Sequence, residues 1–403
     1  MSPVGDIVLC APMRTPVGRF GGVFRGVDAP TLATTVVRAI LERTRLDPAD
    51  VDEVILGQAS PNGEAPAIGR IVALEAGLGF HVAGRQVDRR CGSGLQAILD
   101  GAMQVASGAS SLILAGGVEN MSQAEHYLPA MRWGGSGETK LHDRLERARI
   151  TAGGRQHLVP GGTLETAENL RLRYRIPREA QDRMAFLSHK KAVAAQESKA
   201  FAAEIAPVPV SGRKGIAIIE KDEHPRADTT IEALAMLKPV RLRQDPAATV
   251  TAGNSSGQND GAALCVVTTV ERAAALGLHP MGRLVAWSAA GVQPEYMGIA
   301  AAPAARTALL RAGLTLDDMG VIELNEAFAA QALAVLQEWE MSMDDARLNP
   351  CGSGISLGHP VGATGARLVA TMLHSMRRGG HRYGLVTMCI AGGQGLAAVF
   401  EAV

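Results

Sequence analysis

Short apolar runs separated by amphipathic stretches set the rhythm of this chain. "DIVLCAP" near the start predicts a strand, and "APTLATTVVRAILERT" repeats its apolar residues at helical spacing. "VDEVILGQA" predicts a buried strand, residues 67–76 a helix, and "SSLILAGG" another buried strand. Apolar strands alternating with helices predict a parallel α/β sheet covered on both faces.

The order of signals then recurs. "PADVDEVILGQAS" around Ile55 resembles "LDDMGVIELNEAF" around Ile322, and Cys91 and His359 lie 36 and 37 residues further on. Each is followed by a small-residue turn and a helix ("CGSGLQAILDGAM", "HPVGATGARLVATML"). Each helix leads to a strand ending in Gly-Gly. Agreement in order and spacing predicts an internal duplication: one half over residues 1–120 plus 247–275, the other over 276–403. Between them, residues 121–246 turn polar and glycine-rich, with a charged amphipathic helix starting after Pro177. This insert reads as a surface lid rather than more sheet.

Composition narrows the function. A chain of 403 residues, 47% hydrophobic, predicts two or three domains with a large core. Aromatics at 3% argue against base-stacking platforms, and 40 basic against 40 acidic residues leave no global field for nucleic acid or an anionic membrane. Five scattered cysteines (Cys10, Cys91, Cys265, Cys351, Cys389) point to reduced thiols in a cytoplasmic setting. The opening residues lack a signal-peptide pattern, no uncharged apolar run reaches membrane-spanning length, and "VFEAV" is no peroxisomal address.

Four polar residues carry the candidate chemistry. Cys91 sits at a glycine-flanked turn opening a helix, where free N–H groups and the helix dipole favour a thiolate. Gly92 and Gly94 clear space for a substrate. From this turn alone, a small buried packing cysteine is an equal reading. His359 lies in a second glycine-dense turn, Cys389 ends a strand before a third, and Asn325 follows an apolar strand, where it could also be a helix N-cap. Together, at strand-to-loop junctions of a duplicated sheet, they point to one shared site.

Seven stretches, "RRCGSGLQAI", "AGGVENMS", "TAENL", "TAGNSSGQNDGAA", "ELNEAFAAQ", "GISLGHPVGATGAR" and "CIAGGQG", span residues 89–395 and resemble the thiolase family in order. The resemblance implies a five-layer α-β-α-β-α fold of two similar halves with a loop domain inserted. It implies reversible Claisen condensation and thiolysis of acyl-CoA through an acyl-cysteine. Cys91 would be the nucleophile, His359 its proton acceptor and Cys389 the acid/base at the acetyl-CoA carbon. His359 with a water held by Asn325 would stabilise the enolate, and the backbone N–H groups of Cys91 and Ala391 would form a second oxyanion site. Coenzyme A is the implied cosubstrate, with no tightly bound cofactor and no metal. Ser256 matches a pantetheine contact; Arg226 and Lys238 match positions near the nucleotide, where solvated surface charges are the alternative. Homodimers or homotetramers are implied.

The chain departs from the family before "TAEN": the common His-Met-Gly is replaced by "VPGGTLETAEN", and His157 lies too far upstream to align. Cys351 reads as packing, and Cys10 and Cys265 as core. A β-ketoacyl synthase-like enzyme would use one Cys with two His, and Cys389 stands where one His would be. A non-catalytic acyl-CoA-binding relative could discard Cys91, His359 or Cys389, and a cysteine hydrolase would not need Cys389.

Overall fold

The computed structural model describes residues 6–135, 137–213 and 215–403. The opening five residues, part of the stretch without a signal-peptide pattern, lie outside the described residues, as do Ser136 and Lys214 of the insert. Nine strands carry the fold: β1 (Ile7–Arg14), β2 (Glu53–Gly57), β3 (Ala83–Val87), β4 (Leu112–Asn120), β5 (Asn259–Thr269), β6 (Pro280–Gly291), β7 (Val321–Leu324), β8 (Tyr383–Ile390) and β9 (Gln394–Ala402). The helices that matter here are α1 (Ala29–Thr44), α2 (Ile68–Glu75), α3 (Ser93–Ala106), α4 (Arg144–Thr151), α5 (Gly162–Arg173), α6 (Arg178–Glu197), α7 (Ala301–Ala312), α8 (Ala329–Glu338) and α9 (Thr364–Gly379).

Local rules explain where elements start and stop. The Asp28 side chain accepts the Thr31 N–H at 2.8 Å to cap α1, and the left-handed backbone at Arg45 ends it. Leu32, Val36, Val37 and Ile40 form its buried face. Every residue of β2 and β4 is buried, as expected for strands covered on both sides.

The strands form one sheet in the order β7-β8-β9-β6-β1-β5-β4-β2-β3, with the short Gly18–Arg19 strand added beside β5. Read outward from the β6–β1 seam, the two halves run β6-β9-β8-β7 and β1-β5-β4-β2, the same connectivity twice. The sheet is mixed, not parallel as the alternation of elements predicts. Only β2–β3, β2–β4 and β7–β8 are parallel. The others are antiparallel: β8 and β9 are joined by a tight turn, and β5 returns beside β4 after the long insert.

Five layers follow from what packs on what. One outer core joins α1 and α2 to β1, β2, β4 and β5 through Val36, Ile40, Val54 and Leu114. A central core joins α3 and α9 to both halves of the sheet through Leu95, Ile98, Leu368, Met372, Ile113 and Val386. The other outer core packs α7 and α8 on β7–β9. Residues Thr364 to Met376 of α9 are all buried, so this helix is interior to the molecule.

The insert is more than a lid. Its hairpins (His126–Tyr127 with His142–Asp143; Val208–Gly212 with Gly215–Ile219) stand apart from the main sheet. Yet buried Arg14, ending β1, donates to Glu204 and Asp222 of the insert, each at 2.6 Å. Asp182 of α6 accepts from Asn254 at 2.9 Å, and Ser188 donates to Glu326 at 2.6 Å. The charged pattern of α6 suggests a solvated face, but these polar residues point inward because each finds a buried partner.

Candidate active site

The two central helices begin almost in contact. A Cβ on Gly94 would stand 2.7 Å from the Gly362 carbonyl oxygen and 3.0 Å from the Ala366 nitrogen; one on Gly365 would stand 2.5 Å from the Leu95 nitrogen. These glycines let the turn before α3 and the turn before α9 converge. The first turn carries Cys91, the second His359.

Cys91 follows Arg90, whose φ of +48° is left-handed. Ser93 Oγ holds the turn, accepting the Arg89 N–H at 2.8 Å and donating to the Arg90 carbonyl at 2.6 Å. The sulfur faces the N–H groups of Ala391 and of Cys91 itself. Burial pushes the Cys91 thiol up, and these donors with the Arg90 and Arg149 guanidinium groups oppose it. The resting group is therefore a thiol seated where an anion would be welcome.

His359 is buried and held on both sides. Its N–H donates to Asn259 Oδ1 at 2.9 Å, and its Nδ1 lies 2.6 Å from Thr364 Oγ1. The Thr364 hydroxyl spends its single proton on the Pro360 carbonyl at 2.9 Å, so Nδ1 is the protonated ring nitrogen. Among the described residues Nε2 is left as a buried acceptor without a partner. Burial, with Arg367 and Arg149, lowers the imidazole to about 3 and keeps it neutral.

Cys389 ends β8, opposite Gly395 of β9, fully buried among Ala167, Val250, Met297 and Phe328. Burial and then the neighbouring Cys91 push its thiol up. Asn325 is not a helix cap: α8 starts at Ala329 after Phe328. Its amide is buried, and among the described residues neither Oδ1 nor Nδ2 has a partner.

A cavity of about 130 Å³ is lined by Cys91, His359, Ala391 and Ser256, with walls from both halves and from α4 and α5 of the insert. The Ser256 N–H donates to the Ala327 carbonyl at 2.9 Å. Ser255 is shared with a second cavity, of about 180 Å³, lined by Arg226, His189 and His224. Arg226 is exposed at that rim; Lys238 is exposed and lines neither cavity. A roomier cavity of about 600 Å³ beside Arg43 and Arg378 contains none of the predicted site residues. Cys265 and Cys10 are core, and Cys351 packs against Ala192, Phe201 and Leu357.

Sequence reasoning missed two residues. Glu119, buried at the end of β4, accepts N–H groups from Ala59, Ser60 and Gly362 at 2.9, 3.1 and 2.9 Å, and burial still pushes its carboxyl up to about 7. It ties a loop of the first half to the His359 turn; a lone acid closing an apolar strand was the available signal. Arg149, on α4, lines the cavity at Cys91, and nothing in the local pattern of "LERARI" marks it.

Residues 7–271 match the family model described as thiolase, N-terminal domain, and residues 278–402 match thiolase, C-terminal domain. An acetyl-CoA acetyltransferase of Pseudomonas aeruginosa is 45% identical over 395 residues, covering 97% of this chain and 98% of its own. A β-ketoadipyl-CoA thiolase of the same organism is 43% identical over 401 residues, covering 99% of each. The crystal structure of the Bacillus anthracis acetyl-CoA acetyltransferase superposes with a TM-score of 0.94 at 40% identity, covering 99% of each chain.

Proposed function

This chain belongs to the thiolase family, and we propose that Cys91, His359, Cys389 and Asn325 carry out its reversible Claisen condensation and thiolysis of acyl-CoA. In the cleavage direction, His359 Nε2 takes the Cys91 proton and the sulfur attacks the 3-oxo carbon. The bond between C2 and C3 breaks, its electron pair passing into the enolate of acetyl-CoA. Cys389 gives that carbon a proton, and the departing acetyl-CoA leaves an acyl group on Cys91. The thiol of free coenzyme A then attacks the thioester, Cys91 leaves as thiolate, and the coenzyme's proton restores Cys389. Condensation is the reverse.

The observation that carries this reading is one cavity bounded by the Cys91 thiol, the His359 imidazole and the Ala391 backbone. The N–H groups of Ala391 and Cys91 facing the sulfur suit an oxyanion at the attacked carbonyl. The unpartnered amide of Asn325 suits a water that, with His359, stabilises the enolate. Cys389 at full burial stays protonated, as an acid for the carbanion must. A β-ketoacyl synthase-like route or a non-catalytic binding role leaves this second thiol unexplained.

We place the pantetheine arm past Ser256 and the nucleotide toward Arg226 and Lys238, because the cavity at Arg226 shares Ser255 with the catalytic one. Coenzyme A comes and goes as a substrate, with no cofactor tightly bound. The two halves run over 1–120 with 247–275 and 276–403, around an insert of 121–246. Half-exposed β3 at the sheet's edge offers a pairing surface for a homodimer or a tetramer built from it. Among the described residues no helix is long and apolar enough to cross a membrane, and a cytoplasmic setting fits the free thiols.

The test uses two variants. Cys91→Ser should abolish acyl-enzyme formation from acetyl-CoA. Cys389→Ser should still acylate but fail to condense; condensation at the wild-type rate would remove the proton role assigned to Cys389.

A further inference from the structure

The cavity of about 600 Å³ lies at the C-terminal end of α9, and five exposed cations rim it: Arg43, Arg45, Lys199, Arg377 and Arg378. Three helices end there, α1 at Thr44, α6 at Glu197 and α9 at Gly379. Among the described residues no carboxylate lines this cavity, and none of the five cations forms an ion pair. Two of them reach backbone oxygens: Arg43 donates to the Ala203 carbonyl, and Arg378 to the Ala200 carbonyl at 2.8 Å. The side chains of Arg45, Lys199 and Arg377 have no partner among the described residues. Cations do belong at helix C-termini, where the dipole is negative. Three such ends supply roughly one and a half negative charges, too few for the cations gathered here. Arg45 and Lys199 also stand where glycine would serve the backbone better, at left-handed φ of +55° and +58°. Ending a helix therefore does not account for a cation at either position.

Behind the rim the cavity is apolar, lined by buried Pro12, Leu278 and Met281. Its volume is that of a small-molecule site. Like charges around one opening repel each other until an anion joins them, and a guanidinium meets phosphate oxygens through two N–H bonds at once. We propose that this cavity is a second ligand site, for a small organic phosphate carrying at least two negative charges. The phosphates sit among Arg45, Lys199 and Arg377, and the organic body covers Pro12, Leu278 and Met281. No aromatic ring lines the cavity among the described residues, so that body is held by apolar contact rather than by stacking on a side-chain ring. A free nucleoside diphosphate and coenzyme A share this chemistry. The 16 residues of α9 put the site roughly 24 Å from the His359 turn, outside the reaction chamber. The proposal stands independently of the reaction assigned to Cys91.

The experiment titrates ADP, coenzyme A, inorganic pyrophosphate and octanoate calorimetrically into the full chain and into the double variant Arg45→Gly/Lys199→Gly. Glycine suits both left-handed helix ends, so this variant should fold and keep its urea midpoint. ADP should bind the wild-type chain with an affinity that falls as salt rises. The double variant should weaken that binding about 10- to 100-fold, the worth of a hydrogen bond to a charged group. For coenzyme A, which also enters the reaction chamber, the second of two binding events should weaken, while kcat and KM for thiolysis of acetoacetyl-CoA stay unchanged. Whichever of ADP and coenzyme A binds more tightly at the variant-sensitive site identifies the source. Unaltered binding of both in the double variant would overturn the proposal, as would the lack of any such site in the wild-type chain. Pyrophosphate binding as tightly as ADP would count against it too, since the apolar wall would then do nothing. Octanoate losing as much as ADP would assign the cavity to aliphatic carboxylates instead. Should the double variant fail to fold, Arg377→Gln, at an exposed position of α9, gives the same comparison.

Discussion

Replacing Gly94 by alanine places one methyl group where α3 and α9 meet. The added carbon would lie 2.7 Å from a backbone oxygen, Gly362, and 3.0 Å from a backbone nitrogen, Ala366. Neither can rotate away as a side chain could, so the two helix ends must part by roughly 0.5 Å to restore van der Waals separation. Overpacking of this kind costs about 1–3 kcal/mol. The larger effect is on catalysis, because the helix ends carry Cys91 and His359; a 1 Å misplacement of reacting groups can cost about 100-fold, so half that separation predicts a loss of roughly tenfold in kcat. Gly101→Ala in the same helix is the control. Its new carbon would find nothing nearer than 3.4 Å, and alanine stabilises a helix interior by about 0.5–1 kcal/mol. Urea unfolding and steady-state thiolysis of acetoacetyl-CoA read both effects. If Gly94→Ala matches Gly101→Ala in both stability and kcat, the close approach does not set the catalytic geometry and the reasoning fails.

Two further outcomes follow from the buried charges. Burial pushes the Cys91 thiol up and His359 down to about 3, so the resting pair is neutral. Iodoacetamide labelling of Cys91 should therefore climb with pH, with a midpoint above the roughly 8.5 of a free thiol; rapid labelling that persists down to about pH 6 would reveal a resting thiolate–imidazolium pair instead. Asp222→Asn removes a carboxylate that Arg14 reaches through two nitrogens at 2.6 and 3.0 Å. Breaking a buried pair from one side costs about 3–5 kcal/mol, so the urea midpoint should fall and protease should cut the insert sooner; an unchanged midpoint would deny the clamp its role.

Much of this architecture is written locally. The apolar spacing of "APTLATTVVRAILERT" delimits α1 to the residue, and the matched intervals from Ile55 to Cys91 and Ile322 to His359 foretell the repeated connectivity. Cys91, His359 and Cys389 are legible because each sits in or beside a glycine-rich turn. Strand direction is not legible in the same way: β8 and β9 are apolar enough to pass for parallel strands, and only their three-residue connection makes them a hairpin. The inward polar face of α6 escapes a periodicity reading, because Asp182 and Ser188 are satisfied by Asn254 and Glu326, 72 and 138 residues away. Arg149 escapes for the same reason. Its place in the cavity wall is set by how the insert folds against the Cys91 turn, and no interval along the chain records that.

The interior pair of helices has a consequence for how such a molecule can arise. One copy of the repeated unit, on its own, would present the inner face of its sheet and one oily helix to water, so it is viable only when clasped to a twin. Joining the twins in a single polypeptide releases them from having to be identical. One can then keep a sulfur at the mouth of its helix while the other keeps an imidazole at the corresponding place, a division of labour closed to a pair of identical partners.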